Sequence, residues 1–500
     1  MRGKTFGLYG YERFYAMDRG ASARLAHVLT VRGDVAKFVK ELPQAVLRTF
    51  NLHPKMRTVL LPGASPQKAM VCPPLVDACE LDAVLSIHEF EGGFDWAAFV
   101  QAECEKPVDR EKDFPYAFCV LVEADLARLV LFSDHYMSDV TSGSIVLESL
   151  LRLIEDFGSG RSHEAHSTDE LPFHNSLYES MHYVNPLLGV INEAVSKFVL
   201  QPLANFENSG FTPVLQINAE SQRDYERQPP TPRNPSFALF ATGTPANMQR
   251  TLQICQEQEV SLQGAFVAAA SLAVGMVKYG GCLTACESEL RFKMELEADM
   301  RAPTGHQGVV GMYSTLGNLV FTSSQGVGPR STPFWVLARQ ADEEWATTLD
   351  GHEMKLQSVF VNETLNAERG PSSLHVAHSI VSDMALSCLD ASMWSQRTCE
   401  LHVDGSTSSV TIDSLHVYKS LPSLAAASTL FVTATSAFNF SLMHKLESAV
   451  ADDFFHWFVQ CVEHLGEIGE NEPLAQVATR LKEMQAPVVY ADALPASGEE

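Results

Sequence analysis

Apolar and polar positions along the chain follow two periods, which predict strands and helices. Residues 25–32 are apolar and β-prone, as in a buried strand. Asp34 is a suitable helix N-cap, and the residues after it are apolar at helical spacing. That spacing predicts a helix whose buried face carries Val35, Phe38, Val39, Leu42, Val46, Leu47 and Phe50. Pro54 follows the predicted end of this helix.

A strand, a polar segment and a helix are predicted again further along. Residues 129–132 are apolar and predict a short buried strand, and residues 142–157 have apolar positions at helical spacing. Between them stands the polar segment Asp134-His135-Tyr-Met-Ser-Asp139. Because the segment begins where a buried strand ends, its side chains can be held rigidly at the border of a cleft.

The second half also mixes strands and helices. We predict a strand at residues 237–241 and a helix after the N-cap Ser261. Paired strands are predicted at 430–435 and 438–442, followed by an amphipathic helix at 446–465. Strands and helices in both halves predict a layered α/β (α+β) fold rather than a helical bundle or a β-sandwich.

Length and composition indicate how the chain is divided. A chain of 500 residues is too long for one ordinary core. Polar residues and prolines cluster between the predicted halves, around one expected helix at 186–206. We therefore predict an N-terminal subdomain at 1–160, a connecting segment at 161–235, a C-terminal subdomain at 236–485 and a disordered tail at 486–500.

Charge and cysteine content narrow the class of protein. The net charge of −25 repels nucleic acid and anionic lipid, so neither is an expected partner. No apolar run is long enough to span a membrane, and the N-terminus lacks the apolar region of a secretory signal. The ten cysteines lack the paired spacing of a zinc site. We expect a soluble, cytoplasmic monomer with no metal and no membrane span.

The candidate chemistry lies in the HxxxD spacing of His135 and Asp139. A histidine is the natural general base near neutral pH, and a strand end can hold its ring toward a substrate. The spacing alone is weak evidence, because short His/Asp spacings arise by chance and a lone histidine is more often structural. The surrounding sequence decides between the two interpretations.

That surrounding sequence resembles the HxxxD acyltransferase superfamily. The superfamily includes chloramphenicol acetyltransferase, peptide-synthetase condensation domains and alcohol acyltransferases, and this chain is closest in style to the last group. The similarity covers most of the chain and includes the HxxxD segment. Its other parts are residues 25–57, Pro107-Val-Asp109 with Phe114-Pro115, Asp299-Met300-Arg301, and Leu316-Gly317-Asn318.

The resemblance implies two similar chloramphenicol acetyltransferase-like subdomains around a central tunnel. His135 would be the general base for transfer of an acyl group from a thioester, an acyl-CoA or an acyl carrier protein, to the hydroxyl of a small-molecule alcohol. Transfer would be direct, in a ternary complex, with acyl-CoA as a co-substrate and no further cofactor. Asp139 would point away from the substrate and pair with Arg301, supporting the active site.

The sequence departs from the superfamily pattern at two positions. Asp134 stands where condensation domains have a first histidine, and Val140 stands where a glycine usually follows the motif, which could narrow the channel. Ser436 and Asn439 are candidates for an oxyanion contact or the tunnel lining, with ordinary strand polar residues as the alternative. Two other functions stay open. One is a non-catalytic protein of this fold that binds a small molecule or a carrier protein, and the other is an amide-forming condensation-type enzyme with a carrier-protein donor.

Overall fold

A computed structural model describes residues 3–16, 23–63, 68–76, 78–90, 93–158, 170–182, 186–200, 213–221, 236–285, 289–319, 326–350, 353–364, 382–390, 394, 397–403, 406–422, 426–484 and 490. The predicted disordered tail at 486–500 lies outside these residues, apart from Tyr490. Most of the predicted connecting segment also lies outside them, and its expected helix is described as Pro186–Val195 and a π-helical turn at Ser196–Leu200.

The described residues form fifteen strands. In chain order they are β1 (Lys4–Gly7), β2 (Arg24–Gly33), β3 (Thr58–Leu60), β4 (Lys68–Val71), β5 (Leu85–Glu89), β6 (Tyr116–Glu123), β7 (Leu126–Asp134), β8 (Phe237–Thr242), β9 (Met294–Asp299), β10 (Ser314–Leu319), β11 (Met384–Asp390), β12 (Thr398–Val403), β13 (Ser406–Lys419), β14 (Ser428–Ala434) and β15 (Phe438–His444). A small sheet has the order β1-β4-β3, and two sheets of six strands form the framework.

The α-helices pack against these sheets. They are α1 (Gly10–Tyr15), α2 (Val35–Leu52), α3 (Ala78–Asp82), α4 (Trp96–Glu105), α5 (Val140–Gly158), α6 (Leu177–Met181), α7 (Pro186–Val195), α8 (Pro245–Glu257), α9 (Leu262–Lys278), α10 (Arg301–Thr304), α11 (Phe334–Asp350), α12 (Glu353–Thr364), α13 (Ser448–Glu463) and α14 (Leu474–Met484). The predicted N-caps are confirmed, because the Asp34 side chain accepts from Lys37 N and the Ser261 side chain accepts from Gly264 N. Helix α14 was not predicted.

The first large sheet has the order β12-β13-β2-β7-β6-β5, antiparallel except for the parallel pair β5–β6. Strand side chains alternate between its two faces. One face, with Leu29 and Leu131 among others, packs in a core with α2 and α5. The other face, which carries Val28 and Val130, turns toward the second sheet.

Strands β12 and β13 come from the second half of the chain but belong to the first sheet. Strand β13 pairs with β2 along its length, from Val410 opposite Gly33 to Lys419 opposite Leu25. The predicted division into subdomains 1–160 and 236–485 is therefore wrong for the segment 398–419. Long-range strand pairing of this kind leaves no local signal in the sequence.

The second sheet has the order β10-β9-β11-β14-β15-β8. Its outer face, including Leu296, Leu430 and Phe440, packs in a core with α9 and α13. Its inner face carries Phe240, Phe431 and Met443, which share one apolar cluster with Val28 and Val130 of the first sheet. The two sheets thus face each other across this cluster. Val140, the residue after the HxxxD segment, also belongs to the cluster, so the segment lies at its border.

The apolar helices belong to the interior. No single described helix is both long and apolar enough to cross a bilayer. Helices α8 and α9 reach the length and apolar composition of a membrane span only when they are taken together, and they are bent by 106° relative to each other. Most residues of α9 are buried, as in the core helix of a globular protein.

Candidate active site

His135 is held at the end of a central strand. Strand β7 is hydrogen-bonded to β2 on one side and to β6 on the other, so its position is fixed by two ladders. At its end, Asp134 N donates to Pro115 O at 2.7 Å and His135 N donates to Ala23 O at 2.9 Å. The predicted strand 129–132 is therefore confirmed but longer, and the histidine follows its last residue directly.

The hydrogen bonding of the His135 ring defines which nitrogen can act as a base. Nδ1 lies 2.7 Å from the carbonyl oxygen of Ser138. A carbonyl oxygen only accepts, so Nδ1 carries the proton and Nε2 is the free basic nitrogen of the neutral ring. Burial, and secondarily the charge of Lys419, lower the pKa of His135 well below its ordinary value. The ring is therefore neutral near pH 7, as a general base must be.

Two residues outside the motif contact or approach the His135 ring. The Tyr15 ring at the end of α1 packs against it, with ring centroids 3.9 Å apart. The Lys419 Nζ at the end of β13 lies 5.5 Å from the centroid of the Tyr15 ring. His135 is only 2% exposed, and the Tyr15 ring is one of the groups packed on it. The sequence did not predict either neighbour.

Asp139 lies at the centre of a buried hydrogen-bond network. Its Oδ1 accepts from Arg301 Nη2 at 2.8 Å and from Ser142 N at 2.7 Å. Its Oδ2 accepts from Tyr313 N at 2.7 Å. These contacts engage both carboxylate oxygens, and the nearby Arg301 guanidinium and the hydrogen bonds lower the pKa of Asp139 against the effect of burial. The predicted contact between Asp139 and Arg301 is present.

Arg301 joins the HxxxD loop to a segment of the second half. Its Nε donates to Val309 O at 2.8 Å and its Nη2 donates to Gly311 O at 3.1 Å. The Ser142 hydroxyl donates to the same Gly311 oxygen at 2.6 Å. At Gly311 φ is +153°, and an added Cβ would lie 2.8 Å from Lys55 Nζ, so a side chain there would disrupt the junction.

Asp134, the residue before His135, forms a second buried ion pair, with Arg110. Arg110 Nε and Nη2 donate to its two carboxylate oxygens at 2.6 and 3.0 Å. The two side chains are only 6% and 2% exposed. The Arg110 Nη1 also donates to Ala16 O at 3.2 Å, near the end of α1. Asp134 thus fixes the strand end and α1, which carries Tyr15, relative to each other.

Val140 fills the apolar cluster between the sheets. Its side chain is 4% exposed, among Phe240 and Phe431 of the second sheet. Its carbonyl oxygen lies 2.9 Å from His27 Nε2, and the missing side chain of Gly143 makes room for that imidazole. The glycine that the HxxxD helix needs for close packing is therefore Gly143, while the valine at 140 adds contact between the sheets.

Ser436 and Asn439 belong to a group of contacts around Asp413. The Ser436 hydroxyl is 3.5 Å from Asp413 O, and Asn439 Nδ2 donates to Thr435, which also contacts Asp413. Asp413 is six residues from Lys419 on β13, which is about 20 Å along a strand. His135 lies at the Lys419 end of this strand, so Ser436 is not placed against its ring, and a role of Ser436 and Asn439 as oxyanion or tunnel residues stays a prediction. Ser436 lies in the hairpin between β14 and β15, and Asn439 lies on β15.

Two carboxylates on β9 complete the polar surroundings of the site. Glu295 and Glu297 alternate with the core residues Met294 and Leu296, so both point to the inner face of the second sheet. Burial raises the pKa of both carboxyls, and Lys419 is the first cation that opposes this effect at each. The strict alternation of residues 294–299 was the sequence signal that could have identified them.

A separate cavity lies behind the Arg301 junction. It has a volume of about 230 Å³, and its lining includes His53, Lys55, His174 and Val309. The Lys55 Nζ donates to Glu12 at 2.7 Å in a buried ion pair. Among the residues that the structure describes, no three His, Cys, Asp or Glu side chains are grouped as metal ligands would be.

The fold is similar to that of several solved structures. The TRI3 trichothecene 15-O-acetyltransferase from Fusarium sporotrichioides matches with a TM-score of 0.67 and 11% identity, over 92% of this chain and 96% of that chain. The first condensation domain of the CDA synthetase matches with a TM-score of 0.60 and 13% identity, over 95% of this chain and 99% of that chain. Polyketide synthase associated protein 5 from Mycobacterium tuberculosis matches with a TM-score of 0.56 and 12% identity, over 93% of this chain and 98% of that chain. No family model and no curated protein sequence matches the chain. These similarities confirm the predicted two-lobed chloramphenicol acetyltransferase-like fold.

Proposed function

We propose that this protein transfers an acyl group from a thioester to the hydroxyl group of a small molecule, with His135 as the general base. One observation carries the proposal. His135 is neutral and its Nδ1 is bound to the Ser138 carbonyl, so Nε2 is the one ring nitrogen able to take a proton. The match to an O-acetyltransferase of the same fold is consistent with this chemistry.

The reaction needs no acyl-enzyme. The acceptor O–H proton passes to Nε2 of His135 while the acceptor oxygen attacks the thioester carbonyl. The tetrahedral intermediate then collapses, the C–S bond breaks, and the imidazolium returns its proton to the leaving thiolate. The Ser138 carbonyl stabilises the Nδ1–H throughout, and the Asp139–Arg301 pair holds the loop that carries this carbonyl.

The donor in this proposal is an acyl-CoA, with an acyl carrier protein as the second choice. The enzyme acts as a monomer in the cytoplasm, without a metal or redox cofactor. An alcohol is the preferred acceptor over an amine, because the ion pair with Arg110 prevents Asp134 from acting as a second base beside His135.

One observation favours the alternative of a non-catalytic protein. The His135 ring is nearly inaccessible beneath Tyr15, so a substrate reaches Nε2 only if its surroundings open or if Nε2 faces an internal tunnel. Turnover distinguishes the two functions, because a non-catalytic protein of this fold would bind a ligand without cleaving a thioester.

The test is release of free thiol from acetyl-CoA and longer acyl-CoA donors with a panel of alcohol acceptors. We expect acceptor-dependent release that falls by about 100-fold or more in His135→Ala, the range typical of a lost general base. His88→Ala is the matched control, because His88 is an exposed histidine on β5. Equal rates in the wild type and in His135→Ala would reject His135 as the base, and no release with any donor would favour the non-catalytic function.

A further inference from the structure

The His135 ring, the Tyr15 ring and the Lys419 ammonium form one group from three separate elements. Tyr15 ends α1, His135 follows β7, and Lys419 ends β13. The centroid of the Tyr15 ring lies 3.9 Å from the centroid of the imidazole and 5.5 Å from the Lys419 Nζ. All three side chains are buried, so solvent screens the charge of Lys419 only weakly.

The other charges around His135 are already engaged. Asp139 is paired with Arg301, and Asp134 is paired with Arg110. Burial lowers the pKa of Lys419, and the charges of Glu297 and Glu295 on β9 oppose this effect by favouring the ammonium form. Of the groups that act on the His135 ring, Lys419 disfavours the imidazolium, whereas Asp139 and the Ser138 carbonyl favour it.

We propose that Lys419 and Tyr15 are positioning residues that keep His135 uncharged before transfer and shorten the life of its imidazolium during transfer. This inference rests on the proposed function. The ammonium repels the imidazolium that forms when Nε2 takes the acceptor proton. Return of that proton to the leaving thiolate is therefore favoured, and the base is neutral again after each turnover. The Tyr15 ring fixes the plane of the imidazole, so Nε2 keeps one direction.

The first experiment compares pH–rate profiles of Lys419→Met and Lys419→Arg with the wild type, using acetyl-CoA and an accepted alcohol. We expect the acid limb of the Lys419→Met profile to move to higher pH, because the imidazolium is no longer repelled, and Lys419→Arg to keep the wild-type limb. Lys278→Met is the control, because Lys278 at the end of α9 also lies near a tyrosine ring, 5.6 Å from that of Tyr279, but is exposed. A loss of rate that is equal at every pH in Lys419→Met would overturn the proposal.

The second experiment does not depend on turnover. Proteins labelled with ¹³C-histidine are titrated by NMR, and the His135 signal is assigned by its absence in His135→Ala. In Lys419→Met the His135 resonance should titrate at higher pH than in the wild type. Tyr15→Phe should leave the titration unchanged, whereas Tyr15→Leu should shift it by exposing the ring. An unchanged His135 titration in Lys419→Met would reject the inference, while a shift without thiol release from any donor would reject the proposed function alone.

Discussion

Arg301 and Asp139 are 162 residues apart in sequence, and their side chains meet at 2.8 Å in the interior. The pair connects the loop of the candidate base in the first half with the segment around Gly311 in the second half. Removing Arg301 leaves the Asp139 carboxylate buried without a cation, and removing Asp139 leaves the Arg301 guanidinium with only the partly exposed Asp299 as its ion-pair partner. Either loss costs more free energy than the pair contributes when both residues are present.

We therefore expect Asp139→Ala and Arg301→Ala each to lower the free energy of unfolding by about 3–5 kcal/mol. The double variant should lose clearly less than the sum of the two single losses. Urea unfolding measures all three. The exposed pair Arg32–Asp413, at 3.0 Å, is the control and should show a coupling of about 0–1 kcal/mol. Strictly additive losses at the buried pair would show that the two residues are not energetically coupled.

Asp134 cannot be exchanged for a histidine without cost. Asp134→His leaves the Arg110 guanidinium buried without its carboxylate, so we expect a loss of about 3–5 kcal/mol. Arg110→Met combined with Asp134→His removes the stranded charge and should recover part of that loss. Thermal melts of the single and double variants measure this recovery. A single variant as stable as the wild type would contradict a structural role for the ion pair.

Mild acid should destabilise the fold. Burial lowers the pKa of His27, His53 and His416 to about 4, whereas their value in an unfolded chain is 6.5. Between these two values the unfolded state binds more protons, so stability falls as the pH drops from 6.5 to 4. Each histidine contributes at most about 3 kcal/mol to this loss.

Urea midpoints at pH 7.5 and pH 5 measure the effect. His27→Gln, which removes one buried imidazole, should make the midpoint depend less on pH. The exposed His88→Gln should keep the wild-type dependence. A wild-type protein with equal midpoints at both pH values would show that these histidines are not held neutral.

Direct transfer predicts that the protein itself is not acylated. His135 would act on the acceptor, and a neutral buried thiol is a poor nucleophile. Burial raises the pKa of the Cys255 and Cys399 thiols to about 12. Intact-protein mass spectrometry after incubation with acetyl-CoA alone should show no added acetyl group. A stoichiometric adduct that disappears when an alcohol is added would establish a covalent route.

The sequence predicted those features that depend on local rules or on the resemblance. The caps at Asp34 and Ser261 and the pairing of β14 with β15 follow from neighbouring residues. The contact of Asp139 with Arg301 followed from the similar superfamily. The positions of Tyr15 and Lys419 depend on three elements that meet only in the folded chain, so no spacing indicates them. The contact of Ser436 with Asp413 was also not predictable, because no sequence mark tells toward which end of a sheet a hairpin turns.

The pairing of β13 with β2 has a consequence for synthesis. Residues 24–33 leave the ribosome long before residues 406–419, yet the two strands are neighbours in one sheet. Until then, β2 has an unpaired edge, which can pair with other chains. Non-local pairing of this kind slows folding. A chain stopped between the two strands would lack Lys419 as well as the strand that covers this edge, so the surroundings of His135 are complete only after residue 419 has been synthesised.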